Sequence, residues 1–145
     1  MTKHTMKTNS NCTKRSLLLL LLLTGLTAFS QQMKMSETDL NTFLCKTWKI
    51  DFVLINGKKT PFPYLAKSRM EFKPDYTFLE TPVTPKSAKG NWKYNIEKNC
   101  IELIHNGRLI ATIPTLSEKE LIYVPVMNEE SKKTITSSEM HLIPE

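Results

Sequence analysis

From Trp48 onward the chain alternates. Trp48, Ile50, Phe52 and Leu54 are interleaved with Thr47, Lys49, Asp51 and Val53. A period of two sends successive side chains to opposite faces, so this run reads as a half-buried strand. The pattern returns at short intervals. Residues 68–73 carry Met70 and Phe72, residues 76–80 carry Tyr76 and Phe78, and residues 90–96 carry Gly90, Trp92, Tyr94 and Ile96. Further runs follow at 100–105, 108–113, 120–124 and 134–143. Turn signals separate them, with Asn56-Gly57 and Asn106-Gly107 the strongest. Residues 58–67 and 81–89 read as loops, because prolines interrupt both. About eight short antiparallel strands make a barrel or a sandwich. Closure leaves no exposed edge. The expected fold is therefore all-β, a small antiparallel up-and-down β-barrel, with the sandwich as the alternative.

One helix precedes the strands. Ser36 stands before Glu37-Thr38-Asp39, a polar cap followed by acids in the first turn. Leu40, Phe43 and Leu44 then fall at helical spacing. The pattern predicts a short helix over residues 37–44, its apolar side against the domain.

The N-terminus predicts export. Lys3, Lys7, Lys14 and Arg15 come first, then seven consecutive leucines from Leu17 to Leu23, then Ala28-Phe29-Ser30. A basic, apolar, small-residue order is that of a secretory signal. The apolar core is shorter than the roughly 20 residues a membrane span needs. Cleavage is expected near Ser30-Gln31, which makes residues 1–30 a signal peptide and 31–145 the mature domain, periplasmic or extracellular. No stable membrane anchor is expected. A lipid anchor needs a cysteine at the cleavage site, and the first one after it is Cys45. The full chain is formally +6, and the four basic residues lost with the signal leave +2. A nearly neutral mature domain gives no reason to expect nucleic acid as a partner.

Four segments together resemble the lipocalin-like domains of small exported bacterial proteins. They are Leu44-Cys45-Lys46-Thr47-Trp48-Lys49-Ile50, Ile55-Asn56-Gly57-Lys58, Met70-Glu71-Phe72-Lys73-Pro74-Asp75 and Gly90-Asn91-Trp92-Lys93-Tyr94. Such domains open with a short helix and a tryptophan strand, and carry a Gly-x-Trp element in a middle strand. Lys46 departs from the pattern, which has glycine two residues before the first tryptophan. The resemblance implies a barrel and a ligand-binding role.

In an up-and-down barrel Cys45 and Cys100 would both lie at the helix end. A disulfide between them is one reading, worth roughly 4 kcal/mol in the chain-entropy model. Two unpaired thiols are the other. The opposite, open end would gather the loops at 56–67, 81–89, 105–108 and 126–133. The expected site is a pocket there for a small hydrophobic or amphipathic molecule. Trp92, Tyr94 and Tyr123 would line it, Phe62 and Tyr64 would cover it, and Arg108 would meet an anionic head group. The plainer alternative makes these aromatics ordinary core and Arg108 an exposed hairpin charge. Catalysis is not expected. The mature chain has only His105 and His141, no H-E-x-x-H, no C-x-x-C and no Gly-rich phosphate loop. No metal or other cofactor is expected either. A protein partner gripping the open-end loops, as in an inhibitor, is the second functional reading. Cavity volume separates the two: a hollow barrel favours a small ligand, a filled one a protein partner.

Overall fold

The computed structural model describes residues 35–63, 65–81 and 88–145. The expected signal peptide, Tyr64 and most of the second proline loop lie outside the described residues. Helix α1 (Glu37–Leu44) begins where its cap predicts. The Ser36 hydroxyl accepts from the Asp39 amide at 3.2 Å, and the Asp39 carboxylate accepts from the Ser36 amide at 3.4 Å. This reciprocal box satisfies two amides that the first turn would otherwise leave unbonded.

Among the described residues nine strands follow: β1 (Thr47–Ile55), β2 (Lys58–Thr60), β3 (Arg69–Phe72), β4 (Thr77–Thr81), β5 (Ala88–Asn95), β6 (Cys100–His105), β7 (Arg108–Leu116), β8 (Leu121–Pro125) and β9 (Ser138–Pro144). All pairings are antiparallel. β1 pairs with β3 through its first half, each strand from β3 to β9 pairs with the next, and β9 pairs back onto β1. The result is a closed eight-strand barrel with β2 as an extra strand, preceded among the described residues by one short helix.

β2 lies inside the segment read as loop. Asn56 and Gly57 both have positive φ, 50° and 72°, so they form a tight hairpin turn that brings Lys58 opposite Ile55. The strand is short, carries two lysines and stops at Pro61, features that discourage pairing at an edge. Asn56 also anchors the far side of the open end. Its side-chain oxygen accepts from the amides of Thr136 and Ser137 at 2.7 and 3.2 Å.

The helix end of the barrel is plugged. Leu40 and Leu44 of α1 join a cluster with Trp48, Phe72, Trp92, Ile101 and Ile113. The Trp48 indole donates to the Leu44 carbonyl at 2.9 Å. One bond thus satisfies a buried indole and a carbonyl at the helix end. Leu44 and Trp48 are wholly buried. Each such side chain contributes about 2 kcal/mol by leaving water.

Phe52 corrects the alternation. Asp51 is an extra residue in β1, because Ile50 opposes Leu142 while Phe52 opposes the next residue, His141. A bulge of this kind reverses the faces beyond it. Val53 therefore turns inward and is buried. Phe52 turns outward and stacks on the His141 ring at 4.2 Å.

Candidate functional site

The six residues expected to form one pocket are dispersed. β5 runs from the open end towards the helix end, and Trp92 and Tyr94 lie in its far half. The Trp92 indole donates to the Lys73 carbonyl in the β3–β4 turn at 3.0 Å. Tyr76, held at φ 63°, covers its face and donates to Glu37 of α1 at 2.5 Å. Tyr94 donates to Asn99 in the β5–β6 turn at 2.6 Å. Both therefore belong to the plugged end. Arg108 is exposed on the β6–β7 hairpin. Phe62 lines a shallow groove of about 210 Å³ with Asp51, Phe52, Lys59 and Pro61. Tyr64 is outside the described residues. Only Tyr123 is buried in the open half of the barrel.

Tyr123 is joined there by a residue the sequence reading passed over, Glu80. On β4 it opposes Met70 and follows the buried Phe78 by two, so it points inward. An acid at an inward position of an apolar alternation was the available signal. Glu80, Tyr123 and Ser68 bound a space of about 30 Å³ with Ile50, Met70, Met140 and Leu142. Arg69 is at its margin, where its guanidinium bonds to Glu145 at 2.6 Å and to the Ser68 carbonyl at 3.0 Å. Ser68 and Tyr123 are 3% and 8% exposed, yet neither hydroxyl has a hydrogen-bond partner among the described residues. Burial raises the Glu80 carboxyl above the usual carboxylate range. Tyr123 is pushed well up, first by burial and then by the charge of Glu80. A space of this size holds one water or one small polar head.

A larger groove lies outside the barrel wall. It has a volume of about 570 Å³ and runs past Lys73, Thr77, Leu79, Lys89, Asn91 and Ile104 to the β6–β7 turn. His105 closes one end, its Nδ1 donating to the Lys89 carbonyl at 2.6 Å.

Of the two readings of the cysteines, the structure has the unpaired one. Both thiols are free. Cys45 caps α1 and packs towards the core, its thiol 3.6 Å from the Asn41 side-chain oxygen. Cys100 alternates with the core residue Ile101, which sends it to the outer face beside Glu102. Burial raises both thiols, with help from Asp75 at Cys45 and Glu102 at Cys100. Among the described residues no group of three or more His, Cys, Asp and Glu side chains could hold a metal ion. Glu120 accepts from His141 Nδ1 at 2.7 Å.

No family model matches this chain, and neither a curated protein nor a solved structure is significantly similar to it.

Proposed function

We propose that the chain is an exported, lipocalin-like and non-catalytic binding protein for a small amphipathic molecule, held in the open half of the barrel. One observation carries this reading: an acid, a phenol and a hydroxyl that have no bonding partners among the described residues face a space inside an otherwise apolar barrel. Ser68 and Tyr123 are buried and Glu80 is half-buried, and their oxygens open onto the space instead of being sealed from solvent, so a polar head entering there would find acceptors waiting. Met70 and Met140 on the walls suit a site that adapts, because unbranched thioethers repack easily. The small volume admits a head group, and carbons behind it enter only as the methionines repack. The lumen is filled by Phe72, Phe78, Leu103 and their neighbours, so volume alone favours a protein partner, and it is the polar cluster that keeps a small head group as the first reading.

Methyl NMR of methionine-labelled protein tests this. Hexylamine, hexanol and hexanoate are titrated in turn. At least one should shift the Met70 and Met140 methyls saturably and leave Met35 and Met127 in place. Unmoved Met70 and Met140 signals with all three would overturn the reading.

The alternative, a protein-interaction module, is favoured by the outer groove. Lys73 and Lys89 flank apolar Leu79 and Ile104 there.

A further inference from the structure

The chemistry of the inner space narrows the class of ligand, on the premise that this space is the binding site. Two ionisable side chains of opposite sign stand at it. Arg69 is already committed: its Nε is 2.6 Å from the Glu145 carboxylate, and its Nη1 donates to the Ser68 carbonyl at 3.0 Å. Glu80 has no ionic partner among the described residues. The unbalanced charge facing the space is therefore negative, and burial already disfavours it. An anionic head would add a second negative charge and meet repulsion.

Size makes a second selection. A volume of about 30 Å³ matches one water-sized group. A primary ammonium is of that size, whereas a trimethylammonium or a phosphate is several times larger. The donor count makes a third. A primary ammonium carries three N–H donors and no acceptor. The space offers three side chains able to accept: the Glu80 carboxylate, the Tyr123 hydroxyl and the Ser68 hydroxyl. The head fills the space, so a short alkyl stem behind it requires Met70 and Met140, flexible thioethers on the apolar wall, to move aside.

We propose that this site takes the protonated primary amine of a small aliphatic amine, with Glu80 as its counter-charge and Tyr123 and Ser68 as further acceptors. The ammonium replaces the water that such a space otherwise holds. The missing partners of three side chains are supplied in one step. Binding of this kind excludes carboxylates by charge and quaternary amines by size.

Calorimetry and methionine-methyl NMR with hexylamine, hexanol and hexyltrimethylammonium test the proposal on the wild type, Glu80→Gln and Tyr123→Phe. Hexylamine should bind the wild type at least about tenfold more tightly than the other two, the worth of one charge-assisted hydrogen bond. Glu80→Gln should lose on the order of tenfold for hexylamine and clearly less for hexanol, whose neutral hydroxyl still finds the amide oxygen as an acceptor. Tyr123→Phe should weaken hexylamine by a smaller factor, and it serves as the second variant should Glu80→Gln disturb the methyl spectrum. Equal affinity for hexylamine and hexanol, or hexylamine binding indifferent to both substitutions, overturns the amine assignment and leaves the binding site standing. A wild type in which no probe moves Met70 or Met140 removes the site and the amine together, and leaves a space that holds water only.

Discussion

At Gly90 a single added methyl would meet the Ile104 carbonyl oxygen at 2.2 Å and the Phe78 ring at 2.7 and 2.9 Å. The backbone conformation is ordinary, so the demand is purely for space. Here β5, β6 and an inward ring come together, and only hydrogen fits. Gly90→Ala should destabilise the protein by about 3 kcal/mol, read as a lower urea midpoint at unchanged slope. A loss below about 0.5 kcal/mol, the level of an ordinary surface change, would mean that the strands can part at no cost. The Gly-x-Trp element was legible as a motif, and its physical content is now specific. Glycine admits the neighbouring strand, and two residues later Trp92 closes the barrel floor against Lys73 and Tyr76. The depth of Trp92 was not legible. Alternation tells which face a side chain takes, but height along the barrel depends on the stagger between strands. The aromatic residues were therefore assigned to the open end, while Glu80, which stands in that half, was overlooked.

The β5–β6 hairpin shows an element whose charge is organised for stability. Glu102 is only 5% exposed although it faces outward. Lys98 donates to it at 3.0 Å, Asn95 at 2.8 Å, and Lys93 lies 3.1 Å from its second oxygen. These partners, Lys98 foremost, hold its carboxyl down to about 2, against an ordinary value of 4.5. A depressed acid stabilises the folded state fully above its unfolded pKa, and that contribution is lost as pH falls through the folded one. Glu102→Gln should therefore cost on the order of 2 kcal/mol at neutral pH and almost nothing near pH 2. Thermal melts of both proteins across that range check it, and a pH-independent difference would remove the carboxylate from the explanation. The element boundaries were mostly legible, because Asn-Gly pairs and prolines punctuate them. The irregularities were not. Asp51 in β1 and the extra residues of β7 leave no mark in a single strand's alternation. One such bulge was enough to send Phe52 to the opposite face from the one expected.

On the scale of the whole molecule, closure was legible, because eight short strands with no device to protect an edge have few other solutions. Whether the closed barrel is hollow was not, since an inward-facing set of residues does not state its summed volume against the space available. Closure also changes the argument about the cysteines. A bridge from Cys45 to Cys100 would have tied the first strand to the middle of the chain. Here β1 is tied to the last strand instead, by a ladder running from Trp48 opposite Pro144 to Ile55 opposite Ser138. The thiols sit on different surfaces, one under the helix cap and one on the outer wall. Reductant should therefore leave the melting temperature unchanged, and the intact mass should show no loss of hydrogens. Burial raises both thiols and so slows alkylation in native buffer, and Cys100 is buried where Cys45 is only half-buried. Cys100, 6% exposed in a strand paired on both sides, should react only through global unfolding. Its rate should be at least about a thousandfold below that in denaturant. Cys45 needs only the last turn of α1 to fray, so it should react first. Equal rates for the two thiols would mean that the helix and the barrel open as one unit. A lowered melting temperature in reductant would mean that the bridge forms after all.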